Sequence, residues 1–95
     1  MLEAAGRAIE RDTQERENRE QLGDARRRID SLSAREREVL EMVIAGLPSK
    51  QIARRLEITE RTIKAHRGNL MEKTKVDSVA ELVELSLLAG VEPKH

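Results

Sequence analysis

The chain has 95 residues, with 18 Lys and Arg against 18 Asp and Glu, two His, no Cys and no Phe, Tyr or Trp. That length makes one small domain with at most an appendage, and the absence of Cys excludes a disulfide frame or a thiolate metal site, which suits a reducing cytosol. Without aromatic residues there is no platform for stacking single-stranded bases; no apolar run reaches the roughly 18–20 residues of a membrane helix, and MLEAAGRAIERD lacks the basic-then-apolar layout of a signal peptide.

Residues 1–31 read as a polar helix. They lack Pro and are dense in Ala, Glu, Gln and Arg. Four acids precede an Arg by four positions, at Glu3–Arg7, Asp12–Arg16, Glu15–Arg19 and Asp24–Arg28, and each such pair favours a helix by a few tenths of a kcal/mol. Apolar residues recur at Leu2, Ala5 and Ile9 and again at Leu22, Ala25, Ile29 and Leu32, but the two stripes differ in phase and no aliphatic residue joins them. A sustained heptad seam is therefore absent. The expectation is a solvated linker helix, about 45 Å long if fully helical. It is too polar to fold alone, and so mobile or held by a partner.

From Ser31 onward the pattern becomes short, punctuated helices. Ser33 with Glu36 forms a capping box, Val39, Leu40, Val43 and Ile44 supply an apolar face, and Gly46 supplies a stop. Ser49 is expected to cap a second helix with Ile52, Ala53 and Leu56 inside; Glu57-Ile58 turns the chain, and Thr59 caps a third helix reaching about Lys73. Ser78 and Glu81 form another box, opening a fourth helix with Val79, Leu82, Val83, Leu85, Leu87 and Leu88. No strand pattern occurs. The fold class expected is all-α: a four-helix helix-turn-helix domain over 32–95, preceded by the linker helix of residues 1–31.

The neutral total conceals a basic block. Residues 50–75 hold eight bases against three acids, net +5, whereas the segments 1–31, 32–49 and 76–95 carry −1, −1 and −3. Binding depends on this local field rather than on the sum. Within the third helix Ile63 and Leu70 point inward, while Arg61, Lys64, Ala65, Gly68 and Glu72 form one outward stripe. Ala65 and Gly68 leave the centre of that stripe nearly bare between long cations, as a helix entering a major groove requires. The start of the second helix, Ser49-Lys50-Gln51, offers free N–H groups and donors suited to a phosphate.

LSAREREVLEMVIAGLPSKQIARRLEITERTIKAHRGNLMEKTKV, residues 32–76, resembles the DNA-binding domain of LuxR/FixJ/NarL-type transcription regulators, and the likeness extends to Gly90. It rests on Ser33-x-Arg35-Glu36-x-Glu38-Val39-Leu40, Gly46, Lys50-x-Ile52-Ala53, Leu56, Thr62-Ile63-x-x-His66, Lys73 and Val76; the GLPSK and HRGNLMEK phrasing is nearest to the FixJ branch of response regulators. The resemblance implies sequence-specific binding of double-stranded DNA as a homodimer on paired half-sites, with RNA polymerase as a further partner and a cytoplasmic location. It implies base-facing roles for Lys64, Ala65 and Gly68, to which the stripe adds Arg61. It associates Lys50, Thr62, Arg67 and Lys73 with phosphates, joined by His66 and by Ser49 and Gln51, and dimerisation with the last helix through Leu85, Leu88 and Ala89. Gly68 departs from the larger polar residue usual in relatives, so base readout at that position is in question.

Full-length members of this family carry a phosphoacceptor receiver domain ahead of such a connector, and residues 1–11 resemble the end of a receiver's last helix. The expectation is a piece of a longer response regulator, with Met1 as an introduced start. No nucleophile–base arrangement, Gly-rich phosphate loop or metal-ligand spacing is present, so neither an enzyme nor a cofactor is expected. Two other readings stay open: a helical interaction module pairing through residues 1–31, and a standalone single-domain regulator of the same family.

Overall fold

The computed structural model describes residues 19–94, all of whose regular structure is helical. Helix α1 occupies 19–30, followed by α2 (Ala34–Ile44), α3 (Ser49–Leu56), α4 (Glu60–Thr74) and α5 (Val79–Leu88). The readings made for residues 1–18 lie outside the described residues.

Capping residues set most of the boundaries. Ser33 accepts from the Glu36 N–H at 3.1 Å while the Glu36 carboxylate accepts from the Ser33 N–H at 2.8 Å, a complete capping box for α2. Thr59 caps α4 through the Thr62 N–H at 3.1 Å. Two of the expected caps differ. At α3 the N-cap is Pro48, with no side-chain bond, and Ser49 is the first helical residue, its hydroxyl accepting from Arg67. At α5 only half of the box forms: Ser78 accepts from the Glu81 N–H, but the Glu81 carboxylate reaches one residue further back, to the Asp77 N–H at 2.8 Å.

Two helices end without a glycine. Glu57 (φ 56°) and Lys75 (φ 57°) stand in the left-handed region after α3 and α4. In each case the next residue closes the helix with a six-to-one bond, Ile58 N–H to the Ala53 carbonyl at 3.1 Å and Val76 N–H to the Met71 carbonyl at 3.3 Å. Ile58 and Val76 then pack partly buried against the core, which helps to offset the strain of an L residue at positive φ.

The core is aliphatic. Val39, Leu40, Ile52, Ile63, Leu70 and Leu82 are fully enclosed, and α4 packs chiefly against α2 and α3. Ala25 and Ile29 of α1 join this core at 1% and 2% exposure. The C-terminal part of the linker therefore docks on the domain rather than standing in solvent, using Ala25, Ile29 and Leu32 of its apolar stripe within the chain while Leu22 stays exposed. Arg28 fastens the contact by donating to the Thr74 carbonyl at 3.1 Å. Val91 closes the far side, where the Lys94 N–H reaches the Glu41 carbonyl at 3.0 Å.

One carboxylate lies inside this framework. Glu36 is 4% exposed and accepts from the Lys73 ammonium at 2.7 Å as well as from the Ser33 N–H. The Lys73 bond, then the Ser33 N–H, hold its carboxyl below the ordinary glutamate value of 4.5 against the opposing effect of burial. A depressed folded-state pKa contributes stability that is complete above the unfolded value and lost as pH falls through the folded one. Thermal midpoints are expected to hold steady above about pH 5.5 and to fall below pH 4.5. Glu36→Gln should cost about 1–2 kcal/mol at neutral pH and flatten that acid limb; an unchanged limb would assign acid lability to other carboxylates.

Candidate nucleic-acid interface

Helix α4 divides cleanly into two sides. Ile63, Leu70 and Thr74 are buried, and the Thr74 hydroxyl donates to the Leu70 carbonyl at 2.6 Å, so this β-branched polar residue is satisfied within its own helix. Arg61, Thr62, Lys64, Ala65, Gly68 and Glu72 are exposed, and His66 and Arg67 lie half-buried at the boundary. The structure thus brings the four expected base-facing positions, Arg61, Lys64, Ala65 and Gly68, onto one open surface.

Gly68 is informative because nothing inside the domain asks for it. A Cβ built there would meet no atom within 4 Å, and its φ is not in the left-handed region. Neither packing nor backbone conformation explains a residue that costs a helix interior roughly 0.5–1 kcal/mol relative to Ala. What its missing side chain leaves is bare helix backbone facing outward.

The expected phosphate-contacting residues fall into two groups. Lys50 and Gln51 are exposed at the start of α3 and form no ion pair among the described residues. Of the others, His66 is half-buried, and Ser49, Thr62, Arg67 and Lys73 have partners within the domain. Arg67 donates to the Ser49 hydroxyl at 2.9 Å, fixing the start of α3 against α4; Thr62 and Thr59 share a hydroxyl bond at 2.8 Å; Lys73 is tied to Glu36. Lys64 approaches Glu60 only loosely, at 3.8 Å with both side chains largely in solvent, a pairing of little energetic weight. Ser49 and Arg67 therefore position the two helices, and each keeps only part of its hydrogen-bonding capacity for a ligand.

The expected dimerisation residues separate as well. Leu85 is 8% exposed and belongs to the core, since it stands three residues from Leu82 and so on the same face of α5. Leu88 is exposed and Ala89 half-buried. Leu87, at 64% exposure the most open large apolar side chain of α5, and the exposed Val79 stand outside the expected dimerisation set.

Residues 30–86 match the GerE family, described as bacterial regulatory proteins of the luxR family. The chain belongs to that family. It is 42% identical over 93 residues to the transcriptional regulatory protein FixJ of Rhizobium meliloti, covering 98% of this chain and 46% of that protein. It is 41% identical over 86 residues to the response regulator protein TmoT of Ectopseudomonas mendocina, covering 90% and 39%. Among solved structures, full-length FixJ from B. japonicum superposes with a TM-score of 0.75 at 42% identity, over 87% of this chain and 41% of that one. The response regulator StyR gives 0.82 at 40% identity, over 90% and 43%. The chain spans less than half the length of the relatives it matches.

Gly68→Ala tests the reading of α4 in the free domain. It should raise stability by about 0.5–1 kcal/mol in denaturant unfolding. A loss of stability would mean that the fold itself requires the glycine.

Proposed function

We propose that this chain is the DNA-binding effector part of a FixJ-like response regulator, and that α4 reads base edges in the major groove of duplex DNA. The observation that carries this reading is the outward stripe of α4, where the long cations Arg61 and Lys64 precede a bare Ala65–Gly68 stretch whose glycine the fold does not need. Arg61 and Lys64 reach for base edges or the adjoining phosphates, while Ala65 and Gly68 let the helix backbone approach. Lys50 and Gln51, at the positive end of α3, hold the sugar–phosphate backbone. The names of the relatives, a transcriptional regulatory protein and a response regulator, support this assignment.

Two copies bind paired half-sites in this account, with Leu87 and Leu88 of α5 and the following Ala89 as the apolar contact and no part for Leu85. A receiver domain in the longer protein controls access to the site, and RNA polymerase is the downstream partner in the cytoplasm. The absence of aromatic side chains accords with groove reading of a duplex rather than stacking on a single strand.

The test is Lys64→Ala on a duplex selected from random sequence. Specific affinity should fall by about 1–3 kcal/mol, with relaxed preference at one base position and little change for unrelated duplex. Gly68→Ala, stabilising in the free domain, should weaken the same complex. If Lys64→Ala binds the selected site as tightly as the unaltered chain, the base-reading role of α4 fails.

A further inference from the structure

The groove reading leaves one charged feature unused. Where α1 meets the end of α4 there is a cleft of about 270 Å³ lined by Asp24, Arg27, Arg28, Ser31, Lys73 and Lys75. Four cations face one carboxylate, and that carboxylate is already engaged: Asp24 lies 2.8 Å from one Arg28 nitrogen, while the other terminal nitrogen of Arg28 donates to the Thr74 carbonyl. Lys73 is held by Glu36, and the Ser31 hydroxyl donates to the Arg28 carbonyl at 2.6 Å. Arg27 and Lys75 remain. Both are exposed, and neither forms an ion pair or a side-chain hydrogen bond among the described residues. Two uncompensated cations thus stand on a rim whose other members are fixed by bonds within the domain.

We infer that this cleft takes a phosphate group, and that the phosphate belongs to the duplex backbone just beyond the groove read by α4. The inference rests on the groove reading above. From Arg61 to Lys75 the helix rises about 21 Å at 1.5 Å per residue, whereas the major groove is only about 12 Å wide. A helix with its first turns against base edges overruns the groove, and its C-terminal end meets a sugar–phosphate strand. Lys75 sits at that end. Arg27 approaches from α1 and adds a planar guanidinium fork, the geometry that matches a phosphate with two parallel bonds. The docked part of the linker is then a piece of the DNA-binding surface as well as a tether. Because Ala25 and Ile29 are buried, α1 arrives with its position already set and little ordering remains for DNA to impose.

Arg27→Gln and Lys75→Asn separate this proposal from the reading beneath it. Asn tolerates the left-handed backbone at position 75, and neither side chain has a partner among the described residues, so thermal midpoints should stay as in the unaltered chain. Affinity is measured across a salt series on the selected duplex and on a scrambled one. Each substitution should weaken both duplexes by the same factor and lower the slope of log Kobs against log salt, the two together by about 0.9 for the one phosphate they share. Unchanged affinity and slope in the variants, with the unaltered chain still binding in a salt-dependent way, would overturn the inference and leave the groove reading intact. So would weakening confined to the selected duplex, which would make the two residues base readers. Inorganic phosphate is titrated at constant ionic strength into the DNA-free chain: shifts at Arg27 and Lys75 alongside full duplex affinity in the variants would assign the cleft to a free anion instead. A chain that showed no salt-dependent retention of any duplex would remove both readings together.

Discussion

The buried carboxylate of Glu36 is the constraint around which the recognition surface is organised. An unpaired carboxylate at 4% exposure would be costly. Here one oxygen accepts both the Ser33 N–H, which starts α2, and the Lys73 ammonium, which lies in the last turn of α4. The same group that opens one helix therefore holds the end of another. Its partner keeps its charge near water, since the Lys73 side chain is 44% exposed, so the pair avoids burying two charges together. Together with Ile63 and Leu70 this tie fixes the rotation of α4 about its own axis, and that rotation decides which residues face outward.

A fixed rotation makes the segregation of charge useful. The acids and bases balance over the chain, yet eight bases fall within residues 50–75, and the cations of α4 divide into two kinds. Arg67 and Lys73 are engaged inside the domain and hold α4 against α3 and α2. Arg61 and Lys64 project from the open face, and Lys75 follows at its end. Removing a cation of the first kind changes the geometry of the face, whereas removing one of the second kind changes only what the face can bind. The two ought to be distinguishable by stability alone.

Much of this was legible from residue types and spacing. Ser33 with Glu36, Thr59 and Ser78 mark three of the helix starts, and the inward and outward sides of α4 follow from a 3.6-residue period. What stayed hidden depends on partners far apart in the chain. Glu36 reads as a capping residue, and nothing local announces a bond to Lys73, 37 positions away. Ser49 reads as a cap until Arg67, 18 positions on, engages its hydroxyl. Glu57 and Lys75 occupy positions where glycine is the usual signal, so their left-handed backbone has no mark in the sequence. The stripe Ala25–Ile29 was visible, but whether it served a partner helix or the chain's own core depends on where Arg28 finds the Thr74 carbonyl. Leu85 belongs with Leu82 by spacing, a core placement that the family resemblance, which sets it among the dimerisation residues, does not show.

The most direct measurement is residue-by-residue nuclear magnetic resonance mapping of the chain as it is titrated with a selected duplex at low salt. The account predicts perturbations concentrated at Arg61, Lys64, Ala65 and Gly68 and at the Ser49–Gln51 start of α3, with the buried Val39, Leu40 and Leu82 little affected. Perturbations gathered instead on α5, or a duplex that leaves the α4 face untouched, would contradict it.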